Sequence, residues 1–287
     1  MTTCSHKKVL AFNLFISFIF LASNSVLCKL AFVNNGIDAF SFTAVRLFSG
    51  AVVLLFLLKL QNHHFIKQKG SAFLGFLLFI YAICFSYSYI LIDTGIGALI
   101  LFGMVQITMI GYTFFKKNIT PIKFLGALIA FIGLIVLIFP TQSYKISFKG
   151  FLLMAIAGVA WGIYSILGKN VQNPMQTTTQ NFIYAALFAL LVAIFIQQDF
   201  HITVSSFGFA FLSGGVTSGL GYVLWYKVVT KIETSTASII QLGIPLLSTV
   251  GGIIFLKESL TFQFILATII ILSGIAVSSF KKSNQNF

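Results

Sequence analysis

IGYTFFKKNITPIKFLGALIAFIGLIVLIF runs from Ile110 to Phe139, and GGIIFLKESLTFQFILATIIILSGIAVSSF runs from Gly251 to Phe280. Laid over each other at an offset of 141 residues, Gly111, Phe114, Lys116, Thr120, Ile129, Gly133 and Val136 recur as Gly252, Phe255, Lys257, Thr261, Ile270, Gly274 and Val277. Near the start of each half, at offset 140, Ser25, Leu27 and Lys29 recur as Ser165, Leu167 and Lys169. Self-similarity near half the chain length marks a duplicated unit. Long apolar runs divided by short polar stretches make up the rest of that unit.

Of 287 residues, 58% are hydrophobic and 8% charged, whereas a soluble domain carries about a quarter charged residues to cover its surface. The mean hydropathy of +1.01 does not come from one anchor on a polar domain, because apolar blocks recur from Val9 to Phe280. A membrane span needs about 20 mostly apolar residues to cross roughly 30 Å of hydrocarbon. Ten blocks have this character: Val9 to Leu27, Phe40 to Leu58, Ala72 to Ile92, Ile96 to Phe115, Ile122 to Phe139, Phe151 to Leu167, Phe182 to Ile196, Phe207 to Val229, Ala237 to Leu256 and Phe262 to Phe280. The seventh is short, and its start could lie nearer Thr179. The expected fold is therefore all-α and integral to the membrane, with ten transmembrane helices as two five-helix repeats, residues 9–139 and 150–280. Lys7 and Lys8 before the first block would also suit a cleaved signal peptide, with Ala22 to Ser25 as small residues for cleavage. The repeat needs this helix, so it is read as a span.

Five spans is an odd number, so the second repeat must sit inverted relative to the first. The lysines agree. With a cytoplasmic N-terminus, Lys7, Lys8, Lys59, Lys67, Lys69, Lys116, Lys117, Lys123, Lys169, Lys227, Lys231, Lys281 and Lys282 lie inside, against Lys29, Arg46, Lys145, Lys149 and Lys257 outside. That bias follows the positive-inside rule and predicts both termini in the cytoplasm. It also accounts for the net charge of +13 as topology determinants, with no nucleic acid implied. Cys4, Cys28 and Cys84 have neither metal-ligand nor disulfide-framework spacing. No metal or cofactor is expected; the expected partners are membrane lipid and a small-molecule solute, and the oligomeric state is left open.

The ten-span pattern, the segment Ala44-Val45-Arg46-Leu47-Phe48 early in span two, and the segments Lys117-Asn118-Ile119-Thr120-Pro121 and Lys257-Glu258-Ser259-Leu260-Thr261 after spans four and nine resemble the EamA-type branch of the drug/metabolite transporter superfamily. The resemblance covers both halves. It implies paired five-helix repeats, cytoplasmic termini and transport of metabolites such as amino acids across a bacterial inner membrane, commonly outward. The first half departs from the family pattern. Met104 stands where span four usually has proline, and Lys117 where an acidic residue usually follows; Pro245 and Glu258 keep both features in the second half.

Polar groups in hydrocarbon cost several kcal/mol unless paired, so those in mid-span should face a cavity or another helix. Asn13, Ser17 and Asn24 share a face of span one; Gly158, Trp161, Gly162 and Ser165 share one in span six, with Tyr164 beside it. Gly214, Ser218, Gly221 and Trp225 do so in span eight, flanked by Tyr222, and Gln241, Pro245, Ser248 and Gly252 in span nine. A central substrate pocket lined by Asn24, Trp161, Tyr164, Tyr222, Trp225 and Gln241 is expected, with Tyr87 and Gln106 adding hydrogen bonds. For the glycines, close helix packing is the plainer reading. For Trp225 and Tyr226, an interfacial aromatic belt competes, and for Gln106 and Gln241, helix-to-helix hydrogen bonding does. Pro245 should kink span nine, for gating or as a structural bend. Arg46, the only arginine, sits near the outer end of span two, where it must snorkel or pair. It is read first as a charge anchor and second as a binder of carboxylate.

Asp38, Asp93, Asp199, Glu233 and Glu258 all fall at segment ends. None is a midplane carboxylate, which argues against multidrug antiport through a buried glutamate. An enzyme is not expected, since the His63–His64 pair has no acidic neighbour or helical metal spacing. A multi-pass carrier of small polar metabolites by alternating access, an exporter by its resemblance, is the function expected; a non-transporting membrane scaffold or partner subunit is the alternative.

Overall fold

Each apolar block is mostly helical over its described residues in the computed structural model, which describes residues 2–61, 71–116, 120–138, 147–195 and 200–279. His63, His64, Lys67, Lys69, Lys117, Asn118, Ile119, Lys145, Asp199, Lys281 and Lys282 lie outside the described residues. The helices are α1 (Thr2–Phe32), α2 (Ala39–Leu60), α3 (Ser71–Tyr89), α4 (Thr94–Phe115), α5 (Pro121–Ile138), α6 (Phe148–Gly168), α7 (Pro174–Ala193), α8 (Val204–Leu212), α9 (Gly221–Val229), α10 (Thr234–Ile240), α11 (Gly243–Leu256) and α12 (Phe262–Ser279). A π-helical segment, Ser213–Leu220, joins α8 to α9. Seven stretches are long and apolar enough to cross a membrane: Lys8–Asn35, Ala39–Leu60, Ala72–Tyr89, Thr94–Phe115, Phe148–Gly168, Val204–Val229 and Thr234–Leu256. The other three expected spans correspond to α5, α7 and α12. Of these, α5 and α12 contain the shorter apolar stretches Pro121–Gly133 and Phe262–Gly274.

Helix starts are set by side chains that bond the otherwise orphan amides of the first turn. Asp38 accepts from the Ser41 amide at 2.9 Å, Ser147 from Gly150 at 3.2 Å, Asn173 from Gln176 at 3.1 Å and Thr203 from Ser206 at 3.3 Å. The third cap begins α7 at Pro174, well before the hydropathy boundary at Phe182. The reason is that Gln176 through Asn181, a run of six polar residues, is buried against protein, so those residues belong to a helix while lowering its hydropathy.

Span nine is broken. Pro245 has no amide hydrogen to give the carbonyl four residues back, and the helix opens into a turn at Gln241–Leu242. The Gln241 carbonyl accepts from the Ile244 amide instead, at 3.0 Å. At the far end of α11, Lys257 adopts a left-handed φ of 56° and the Glu258 amide returns to the Gly252 carbonyl at 3.2 Å. This closure stops the helix and turns Glu258 back toward the bundle.

Packing fixes the arrangement. α1 lies against α11, α9 and the π segment, α2 against α7 and the π segment, α3 against α6 and α7, and α4 against α6 and α11. α5 and α12 pair with each other, antiparallel, through glycines: Gly133 meets Ala267 and Ile271, and Gly274 meets Gly126 and Ala130. The starts of α5 and α10 and the end of α12 lie together on one face, labelled the termini face for the last helix end it holds; the ends of α1, α3 and α11 and the starts of α2 and α4 lie on the opposite face.

The distribution of polarity is inside-out. Phe12, Phe56, Phe115, Val204 and Ile254 are all at least 60% exposed, while Asn24, Arg46, Gln106, Gln180, Asn181 and Gln241 are at most 2% exposed. A large apolar exterior around a polar interior suits hydrocarbon as the surrounding medium.

Candidate functional site

The interior polar groups form a connected network that begins on the π segment. The Asn24 Oδ1 accepts from Ser213 Oγ at 2.8 Å, Thr217 Oγ1 at 2.6 Å and Ser218 Oγ at 3.0 Å. In an α-helix, residue 218 would stand roughly 140° round from residue 213. The wider i→i+5 winding brings all three hydroxyls to one face. Close approach to α2 also depends on this segment, because a Cβ at Gly214 would collide with the Arg46 carbonyl and Ser49 Oγ.

Arg46 continues the network. Its Nε donates to Ser218 Oγ at 2.9 Å, and its Nη2 to Tyr222 OH at 2.6 Å and Tyr81 OH at 3.2 Å. The guanidinium carbon lies 4.8 Å from the Phe85 ring centre and 5.2 Å from that of Tyr81, within cation–π range. Arg46 is 1% exposed. Of the two courses open to it, snorkelling or pairing, the side chain takes the second: it points inward and pairs with hydroxyls, while its Nη1 has no hydrogen-bond partner among the described residues.

An aromatic wall adjoins the guanidinium. Trp161 has ring centres of Tyr222 at 4.6 Å, Tyr81 at 5.1 Å and Tyr164 at 5.3 Å. Its Nε1 donates to Gln241 Oε1 at 2.9 Å, so the break in span nine places an amide where the indole needs an acceptor. Tyr164 OH accepts from Asn181 Nδ2 at 3.1 Å, and Tyr226 stacks on Tyr164 at 5.0 Å. Trp225 donates to Ser165 Oγ at 3.1 Å. Trp225 and Tyr226 are both 0% exposed, which corrects the aromatic-belt alternative, since a belt residue must reach the membrane surface.

Six sequence-derived candidates, Asn24, Arg46, Trp161, Tyr164, Tyr222 and Gln241, thus meet in one network, with Trp225 beside it. Gln106 is 1% exposed, and neither of its amide atoms has a hydrogen-bond partner among the described residues. Tyr87 is not among them. It lines a cavity of about 470 Å³ at the opposite face, with Lys29, Asp38, Tyr89 and His201; two residues from Tyr89, it sits too close to the end of α3 to reach the centre. A second cavity, of about 490 Å³, lies at the termini face between Lys116, Lys169, Glu233 and Ser235. Tyr81, Phe85, Ser213, Thr217 and Asn181 were not singled out from the sequence. The polar run ending at Asn181 was the available signal for α7, while Tyr81 and Phe85 look like any aromatic pair in an apolar block.

Charged contacts at the two ends differ. At the opposite face, Glu258 Oε1 accepts from the Thr94 amide at 2.8 Å and Thr94 Oγ1 at 2.6 Å, and Oε2 from the Gly95 amide at 3.5 Å. It therefore sits on the positive end of α4. At the termini face, Lys123 Nζ bonds Ser235 Oγ at 2.6 Å and forms a salt bridge with Glu233 at 3.2 Å. The Lys123 hydrogen bond and charge hold the Glu233 carboxyl below its ordinary range.

Comparison with known proteins gives concordant matches. The profile of the EamA-like transporter family matches residues 9–139 and 148–280. An uncharacterized protein of Pseudomonas aeruginosa is 37% identical over 257 residues, 89% of either chain. A Salmonella typhimurium protein described as a probable amino-acid metabolite efflux pump is 24% identical, covering 65% of this chain and 67% of its own. A protein of known crystal structure superimposes with a TM-score of 0.70 at 17% identity, over 92% of this chain and 97% of its own.

Proposed function

Starting from the fact that the chain belongs to the EamA-like transporter family, and is thus a multi-pass membrane protein, we propose that it moves small polar metabolites, amino acids or similar, outward across a bacterial inner membrane by alternating access. The observation that carries this reading is the buried polar and aromatic network around Trp161, Gln241, Arg46 and Asn24, enclosed by an apolar exterior and lying between a cavity at each face. Such an interior is costly in a membrane unless a polar solute uses it. The network is packed shut, as in an occluded state. The efflux function named for the Salmonella relative supports the outward direction.

The ten-span, inverted-repeat arrangement belongs to the same proposal, with repeats at 9–139 and 150–280 and both termini cytoplasmic. Exchange of contacts between the halves supports it. At offset 141 the Gly133 contacts with Ala267 and Ile271 become the Gly274 contacts with Gly126 and Ala130. Likewise α1 on α11 is matched by α6 on α4, and α2 on the π segment by α7 on α3. Two inverted halves that trade equivalent contacts supply two related conformations, one open to each side. The break at Pro245 and the π segment are the natural places for the helices to bend.

Proteoliposomes loaded with radiolabelled amino acids test the function. Saturable efflux is expected, and Gln241→Ala and Gln106→Ala are each expected to lower it several-fold. Wild-type flux in both variants would remove the pocket from the reading; absence of saturable flux for any amino acid would remove the substrate class.

A further inference from the structure

We propose that Arg46 and Asn24 together form a docking site for the carboxylate of a small metabolite carrying one such group; this rests on the metabolite-transport reading above. Arg46 is a full positive charge, 1% exposed, whose hydrogen-bond partners are the hydroxyls of Ser218, Tyr222 and Tyr81. Among the described residues no carboxylate forms a salt bridge with Arg46. Glu258 holds Thr94 and Gly95, Glu233 holds Lys123, and Asp38 accepts from the Ser41 amide. A buried cation with no counter-charge is strongly destabilising, and Arg46 has none among the described residues, so it calls for an anion that comes and goes.

The unsatisfied atoms specify what that anion is. Arg46 Nη1 and Asn24 Nδ2 are buried donors without partners among the described residues. Both hang from one chain of hydrogen bonds, since Ser218 Oγ accepts from Arg46 Nε and donates to Asn24 Oδ1. The Asn24 oxygen is saturated by three hydroxyls, which fixes the amide so that its NH2 is the end left to offer. Two free N–H groups, with no free acceptor between them along this Arg46–Ser218–Asn24 hydrogen-bond path, match the two oxygens of a carboxylate. One cation balances one negative charge, whereas a phosphate, carrying about −1.5 to −2 at neutral pH, would leave net charge in the interior. The faces of Trp161, Tyr81 and Tyr222 beside the guanidinium provide a wall for the body of the solute.

The test uses full-length protein in detergent. Its two tryptophans, Trp161 and Trp225, are both buried in or beside the network, so intrinsic fluorescence reports binding. The probes are the proteinogenic L-amino acids, lactate and pyruvate, each paired with its carboxamide, and inorganic phosphate as competitor. At least one acid is expected to bind, with its carboxamide about tenfold to a hundredfold weaker. Arg46→Lys should keep part of that preference, Arg46→Gln should abolish it, and phosphate should not displace the acid. A carboxamide that binds as tightly as its acid, or an acid that binds Arg46→Gln unchanged, would overturn the carboxylate site and leave the transport reading intact. Displacement by phosphate at equal concentration would overturn the restriction to a single carboxylate. Silence across the whole panel in folded wild-type protein would sink both this site and the amino-acid reading. Should Arg46→Gln fail to fold, the acid and carboxamide comparison in the unmutated protein still decides the matter.

Discussion

α4 and the α10–α11 pair occupy equivalent places in the two halves, yet one is a single rod of 22 residues and the other is broken in its first third. One position decides the difference. Met104 and Pro245 stand 141 residues apart, and methionine keeps the amide that proline lacks. Their starting ends differ too. α4 begins under the Glu258 carboxylate, which bonds its first two amides; α10 begins beside Glu233, whose partner Lys123 is reached through a largely exposed contact. On the proposed repeat, two matched helices have thus become a stiff, capped member on one side and a loosened one on the other. Near-symmetry of sequence does not mean equal cost of bending.

The largest way to break this contrast is to make the stiff member like the loose one. Met104→Pro should destabilise the protein by about 3 kcal/mol or more, read as a drop in thermal unfolding temperature in detergent. The reverse change, Pro245→Ala, lets residue 245 bond the Gln241 carbonyl. A gain of about 1 kcal/mol in stability with several-fold slower flux is expected; unchanged flux would show that the break has no role in transport. Removing the cap with Glu258→Ala should cost about 1–2 kcal/mol, with Glu258→Gln recovering part of it. Smallest is Lys123→Ala, at no more than about 1 kcal/mol and erased by high salt. Acid adds a further check. Because Lys123 depresses the Glu233 carboxyl below its ordinary value of 4.5, this contact contributes fully above that value and is lost as pH falls through the lower folded-state range. Stability of Lys123→Ala should therefore be less acid-sensitive there than that of the parent.

The helices were legible because hydrocarbon imposes one requirement, about 20 apolar residues per crossing, and seven stretches between Lys8 and Leu256 meet it outright. Where a helix contains buried polar residues the requirement misleads, which is why α7 begins at Pro174 and not near Phe182. Trp161, Gln241, Asn24 and Arg46 stood out as polar or singular residues in apolar runs. Tyr81 and Phe85 did not, since hydropathy cannot distinguish an aromatic ring facing lipid from one facing a guanidinium. The convergence of Ser213, Thr217 and Ser218 was invisible for another reason: an α-helical wheel puts Ser218 on a different face, and only π winding restores it. Arg46 was recognised as anomalous, but its direction was not, because a long side chain near a helix end can reach either way.

One further consequence follows from Arg46 being enclosed. Arginine keeps its proton at any physiological pH, so on the transport reading proposed above an unloaded pathway past Arg46 would repel sodium ions and protons, as a pore-lining arginine does in water channels. A cell relies on those gradients for its energy supply. On that reading the same residue would insulate the membrane against leakage whenever the two proposed halves part.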